Sequence, residues 1–399
     1  FELQHLAMTA FHAKFAAHKI AVGKKSAAVT AEWMEWAGRR SFDGLVFRPG
    51  LTAPARFYNL WRGFTVAPAA TSKHPAVDAW LEHALKNVCH GNEYLFRWLI
   101  GYFAHMIQRP WEKPLTALVF RGGKGVGKNA LVERVGHLLG GHFLISSNRR
   151  YLVGNFNGHL ENLLMLGLDE AFWSGDKAAE GQLKDLITGS EHIIEHKGKE
   201  PYKVENRTRV VIIGNEDWLV PATSDERRYA VFDVGTGRKQ DRAFFQGMRE
   251  GMERGGYAHL LRYLMDFDLA SIDLNAAPST EALMEQKQHS LHPLHRWWMD
   301  CLEEGCIQGF EMEGWPEQIE CKRFYSAVKR YFKDNNIRTW SPDERTGGKL
   351  LRNCLPSIVK RRHSRGPDGV QPYYYLLPDL DAAREEWGKF IGHDVVWPE

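Results

Sequence analysis

The chain has 399 residues, of which 44% are apolar and 25% charged, the balance of a globular protein with two or three domains. That balance excludes collagen-like and largely disordered chains. No apolar run approaches the ~18 residues of a membrane span, since Tyr94 to Ile107 is interrupted by Arg97 and His105. The formal net charge of +3 conceals a division: residues 1–70 carry 9 basic against 4 acidic side chains, residues 271–320 carry 2 against 10, and residues 321–366 carry 13 against 3. The last block also holds Phe324, Tyr325, Tyr331, Phe332 and Trp340, so it reads as a nucleic-acid contact or as a solvated basic face whose aromatics belong to a core.

The chain begins at Phe1 without an initiator Met or a signal peptide, so the numbering is expected to start inside a longer protein. Five cysteines (Cys89, Cys301, Cys306, Cys321, Cys354) form no CxxC pair. A disulfide framework is therefore not expected, and a reducing, cytoplasmic setting fits. His289, His292 and His295 precede Cys301 and Cys306, but the spacing matches no zinc pattern, and packed or solvated side chains are the simpler reading.

In chain order, residues 1–20 read as an amphipathic helix with Leu3, Leu6, Phe11, Phe15 and Ile20 among its apolar positions. Short strands and turns follow from Phe42 to Pro68. Pro75 opens a helical region that Arg109-Pro110 ends near Gln108. Leu115 to Phe120 is a short apolar run bounded by turn signals, as expected of a strand buried on both faces. A glycine-rich turn leads into the helical ALVERVGHLLG, with Gly140 or Gly141 as C-cap. Leu163 to Leu168 and Val210 to Ile213 are further buried strands, and 241–265 reads as helix. Ala276 to Pro278 reads as a linker. Beyond it lie helical patterns and then two strands around Gly-Pro-Asp-Gly, the outline of a winged-helix module.

Four motifs carry the chemistry. Gly122-Gly123-Lys124-Gly125-Val126-Gly127-Lys128-Asn129 lies between a strand and a helix; its amides and the helix N-terminus suit phosphate oxygens, with Lys128 reaching the β/γ-phosphates. Asn129 stands where a Ser or Thr hydroxyl usually binds Mg²⁺, and its side-chain carbonyl would ligate the ion or a metal-bound water. LLMLGLDEA then brings Asp169 and Glu170 to a strand's C-terminal end, where one carboxylate can hold Mg²⁺ and the other activate water. RVVIIGNEDW ends a strand at Asn215, placed to bond a γ-phosphate and the attacking water. Last, SDERRYAVFDV carries Arg227 and Arg228, of which Arg228, beside Tyr229, is preferred as an arginine finger; an ion pair with Asp225 or Glu226 is the structural alternative.

This set resembles the ATPase core of superfamily-three helicases, a branch of the AAA+ proteins, and more closely the helicase half of phage and plasmid primase–helicases. The closer resemblance lies in GNFNGHLENLLMLGLDEAFWSGDK, LKDLITGSEHIIEHKGKEPYKVENRTRVVIIGNE and DERRYAVFDV. It covers about 115–235, weakly extends back to Phe42, and leaves 276–399 unmatched. Asn129 departs from the hydroxyl pattern, and Gly214 stands where many members have Ser.

The resemblance implies an α/β fold: an AAA+ P-loop core of parallel sheet and flanking helices, after an N-terminal helical and collar region and before a C-terminal winged-helix-like basic module. The expected boundaries are 1–74, 75–112, 113–275 and 276–399. It implies ATP and Mg²⁺ as cofactors, Asn129 and Asp169 as metal ligands, and a hexameric ring of identical chains with Arg228 supplied by a neighbour. It also implies a hairpin whose His196, Lys197 and Lys199 grip single-stranded DNA, 3′-to-5′ movement, an upstream primase or polymerase domain, and no membrane partner. The rival readings are an ATP-switched DNA-binding initiator or loader, a P-loop small-molecule kinase acting as a monomer, and a DNA-binding scaffold with a degenerate ATPase.

Overall fold

The computed structural model describes residues 6–23, 25–148, 150–154, 157–170, 177–196, 200–223, 226–270, 272–310, 314–337, 343–364, 371–392, 395 and 397–398. At its centre is a five-stranded sheet of β1 (Ala117–Arg121), β2 (Phe143–Ser146), β3 (Met165–Asp169), β4 (Arg209–Gly214) and β5 (Tyr229–Asp233). The order is β5-β1-β4-β3-β2, and every neighbouring pair is parallel. Unbroken apolar runs such as Ala117–Phe120 are required because both sheet faces are covered.

Alternate residues feed two separate cores. Leu118, Phe120, Val211, Ile213, Ala230 and Phe232 pack with the helix Lys128–Leu139 and the helical region 75–108. Ala117, Val119, Val210, Ile212, Tyr229 and Val231 pack with Leu183 and Ile187 of the helix Lys177–Thr188. The segment expected as a collar thus shares one core with the sheet. Residues past 276 also return to it: Thr280 Oγ1 donates to Val231 O at 2.8 Å, and Gln286 Oε1 accepts from Leu219 N at 2.7 Å. A third core begins at Leu294 and unites the helices Pro293–Glu304, Cys321–Asp334, Glu344–Cys354 and Leu380–Ile391. Their three-stranded antiparallel sheet has Tyr373–Leu376 between Gln318–Glu320 and Val359–Arg362.

Several expectations need correction. Among the described residues of the anticipated first helix, only Met8–Lys14 is helical; Ile20 lies in a strand, Lys19–Val22, paired with Lys25–Ala28. Residues 75–108 form Pro75–Glu82, a π turn over His83–Val88 and Glu93–Gln108, because His90 and Gly91 take positive φ of 50° and 79°. Residues 242–266 are likewise two helices kinked at Gly255, φ 113°. Two of the three histidines weighed as zinc ligands have other partners. His292 Nδ1 caps Leu294 N at 3.2 Å, and His295 Nε2 bonds Leu350 O at 2.9 Å. Among the described residues no three metal-binding side chains cluster, all five cysteines are free, and no helix is long and apolar enough to cross a membrane.

Burial makes the core acid-sensitive. The His192 ring is pushed down to about 4 by loss of water and by nearby Lys113, and His105 to about 4 by burial and by Arg209. Both pKa values are lower in the folded chain than in the unfolded one, near 6.5. Their contribution to stability is therefore complete above about pH 6.5 and drains away as the pH falls toward 4. The thermal unfolding midpoint is expected to drop between pH 7 and pH 5, and to drop less in His192→Asn. Identical pH profiles for the two proteins would refute this account.

Candidate functional site

The glycine-rich loop turns directly off the end of β1. Gly122, Gly125 and Gly127 have φ of 151°, 76° and 96°, conformations that side chains resist. Gly127 is doubly constrained, because a Cβ there would lie 2.4 Å from the Phe245 ring and 2.8 Å from His83 Cε1. The loop is also held from outside. His83 Nε2 bonds Gly127 O at 3.2 Å, Asn87 Nδ2 donates to Val126 O at 3.4 Å, and Gln240 N donates to Gly125 O at 2.9 Å. Burial lowers the pKa of His83, favouring the neutral ring. At the base of the turn, Arg121 forms ion pairs with Asp233 and Glu285.

Strand order then decides which motifs meet. Because β4 lies between β1 and β3, the strand ends carrying Lys128, Asn215 and Asp169-Glu170 are neighbours. Lys128 Nζ donates to Asn215 Oδ1 at 2.7 Å, to Gly123 O at 2.9 Å and to Gly122 O. Asn215 Nδ2 donates in turn to Glu170 Oε1, and Asn129 Nδ2 donates to Asp169 Oδ2 at 2.8 Å. Glu170 reaches its place through a left-handed backbone, φ 54°, with its N–H on Ile213 O at 2.8 Å. These side chains, with Lys124, Gly125, Val126, Gly127 and Phe245, line a cavity of about 350 Å³. Lys128 is buried, which lowers its pKa, while Asp169 and Glu170 pull it back up.

The arginine pair is elsewhere. Tyr229 pairs with Ala117 at the start of β1, so Arg227 and Arg228 stand at the opposite end of the sheet from the cavity. A five-residue strand separates them from it, about 16 Å. Arg228 Nη1 bonds the fully buried Glu226 Oε2 at 2.6 Å, the ion pair anticipated as the alternative. Glu226 Oε1 also accepts from Arg227 N and Arg228 N at 3.0 and 2.8 Å.

The hairpin between β3 and β4 exists as Glu191–Ile194 paired antiparallel with Tyr202–Glu205. Lys197 and Lys199 fall outside the described residues. His196 follows the last strand pair, Ile194 with Tyr202, on the loop side, where its Nε2 lies 3.1 Å from Tyr202 Oη and 3.5 Å from Glu161 Oε2.

Sequence reasoning missed β2 and β5, the three outside supports of the loop and Phe245. The apolar run Tyr229–Phe232 after the arginines was the available signal for β5. Phe245, His83 and Asn87 carry no local signal, since only tertiary packing brings them to the loop.

Residues 120–228 match a family of unknown function (DUF5906). Over 185 residues the chain is 24% identical to the DNA primase-polymerase of Nitratiruptor phage NrS-1, a match that takes in 45% of this chain and 25% of the phage protein. The similarity thus spans about a quarter of that relative's length. Two apo structures of the NrS-1 C-terminal region superpose with a TM-score of 0.61 at 17% identity, covering 90% of this chain and 93% of theirs. The α/β fold with its five-stranded parallel sheet is that of the phage protein's C-terminal region.

Proposed function

We propose that this chain is the ATP-driven helicase part of a phage or plasmid replication protein, built on an AAA+ P-loop core and working in the host cytoplasm as a ring, hexameric by the resemblance. The observation that carries the reading is the meeting of Lys128, Asn129, Asp169, Glu170 and Asn215 around one cavity at the C-terminal ends of β1, β3 and β4, where open α/β sheets bind ligands. Similarity to a phage DNA primase-polymerase supports the replication setting, and the upstream primase or polymerase domain belongs to the same proposal.

The donor set fits ATP with Mg²⁺. Lys128 is a desolvated ammonium at a helix N-terminus, held by three oxygens that phosphate oxygens can replace. Asn129 spends its amide N–H on Asp169, which leaves its carbonyl and the second Asp169 oxygen for an oxygen-seeking cation. Bound Mg²⁺ neutralises phosphate charge and polarises the phosphoryl group under attack. Glu170 takes the proton of the attacking water, and Asn215, bonded to both Glu170 and Lys128, registers the γ-phosphate between them.

Arg228 cannot serve its own cavity from the far end of the sheet, which favours a site completed by a neighbouring copy. Glu226 holds the Arg228 backbone and guanidinium in place for that contact. Lys197, Lys199 and the adjacent His196 are the single-stranded DNA grip. A monomeric small-molecule kinase would need Arg228, or a substitute, near its own Lys128.

Steady-state ATP hydrolysis tests this. Turnover is expected to rise with single-stranded DNA and with protein concentration, and Lys197→Ala should lose the DNA response. Arg228→Ala should reduce kcat by ~10³-fold, the usual worth of an arginine finger; Lys128→Ala should be inactive. An initiator or loader would hydrolyse ATP yet fail to separate a forked duplex. A second expectation concerns mixtures: inactive Lys128→Ala and Arg228→Ala proteins should regain turnover together, because some interfaces then pair an intact cavity with an intact arginine. No recovery on mixing, with turnover strictly proportional to concentration, would sink the shared site.

A further inference from the structure

The region from Pro293 to Ile391 has its own core and contributes nothing to the cavity. Its helix Glu344–Cys354 is divided lengthwise. Gly347, Gly348, Leu351 and Cys354 are buried, whereas Arg345, Lys349 and Arg352 are exposed. Spacing of i, i+4 and i+7 puts the three cations on one face, in a row about 10 Å long. Two adjacent glycines ordinarily weaken a helix by ~1 kcal/mol each, but here they allow close approach. A Cβ on Gly347 would lie 2.6 Å from the Tyr325 ring. Tyr325 Oη and Tyr375 Oη meet at 3.2 Å beneath the helix. The basic row is therefore mounted on a rigid floor.

The neighbouring strand Val359–Arg362 is exposed throughout and adds Lys360, Arg361 and Arg362. Lys360 Nζ and the Arg362 guanidinium lie 4.8 and 5.6 Å from the centre of the Tyr373 ring. Among the described residues Lys349, Arg352 and Arg361 have no ion pair. Asp300, Glu303 and Glu304 are on the helix Pro293–Glu304, while Glu344, in the first turn of the basic helix, pairs with Lys360 at 3.6 Å, a contact that a phosphate would have to displace. Its aromatics are mostly spent inside, with Phe324, Tyr325, Phe332 and Tyr375 buried, so stacking platforms for unpaired bases are few. A row of cations on a rigid convex helix, flanked by a basic strand, matches a double helix; a splayed single strand needs exposed aromatics.

We propose that this module grips duplex DNA, with the helix Glu344–Cys354 in a major groove and Lys360, Arg361 and Arg362 on flanking phosphates. The winged helix-turn-helix order of helix, strand, helix, helix, strand, strand supports that docking. The inference stands apart from the ATPase reading, since it needs neither nucleotide nor ring.

The test is fluorescence anisotropy of the full chain without nucleotide, using a labelled DNA duplex, its single strand and an RNA duplex of the same sequence over a series of salt concentrations. Arg345→Ala/Lys349→Ala/Arg352→Ala is expected to weaken DNA-duplex binding at least ~10-fold, and Arg361→Ala/Arg362→Ala to reduce the salt slope by about 2, one per lost phosphate contact. A charge-matched control, Lys86→Ala/Arg249→Ala/Arg254→Ala, should bind as the parent does. DNA-stimulated ATP hydrolysis should persist in the first variant, so a lost grip and a lost motor are read separately. Should the triple variant melt early, Lys349→Glu and Arg361→Glu/Arg362→Glu replace it with the same expectation. Unchanged duplex affinity in the folded variants would overturn the proposal. So would single-stranded DNA or the RNA duplex binding as tightly and responding to the same substitutions.

Discussion

Lys128 is a buried ammonium with no carboxylate bonded to it directly, and the centre of the molecule is arranged around that constraint. Three neutral oxygens solvate the charge, and Asn215, which supplies one of them, donates through its Nδ2 to Glu170. A buried cation satisfied by dipoles is strongly held but replaceable, because any better acceptor that enters gains the whole interaction. The positive-φ glycines, the helix that begins at Lys128 and the positions of β3 and β4 all converge on keeping those oxygens in place. His83, Asn87 and Gln240 restrain the same loop from behind.

Much of this was legible along the chain. The loop announced itself because its chemistry is local: glycines, a lysine and a helix start must be contiguous. Asp169-Glu170 and Asn215 were legible because each ends an apolar run, and the end of a buried strand is where a polar side chain can emerge. The sequence could not convey that β4 inserts between β1 and β3, which converts three separate motifs into one network. Nor could it convey that Arg228 immediately precedes a strand pairing with the start of β1, which carries that arginine away from the set it was grouped with. β2 escaped notice because Phe143–Ser146 is too short for its periodicity to register.

The basic region shows the opposite outcome. Charge counting alone found the block at 321–366, and its aromatics were offered either as stacking surfaces or as core. Phe324, Tyr325 and Phe332 prove to be core, since a three-stranded sheet and four helices leave little else to fill the interior. The cations are then left on the outside with Tyr373 beside Lys360 and Arg362, and Gly347-Gly348, an unpromising pair for a helix, lets the helical row lie flat against Tyr325 and Tyr375.

The position of β4 also bears on how the chain reaches this state. Its two partners, β1 and β3, are complete well before Arg209–Gly214 is synthesised. Until it arrives, each has an apolar edge with unpaired backbone amides, the feature that invites mispairing and slow closure in parallel sheets. The central strand is thus a late keystone. The nascent protein must hold a gap one strand wide between two sticky edges, a period in which a chaperone, or docking of the helical region 75–108 onto one face, would decide between the native sheet and aggregation.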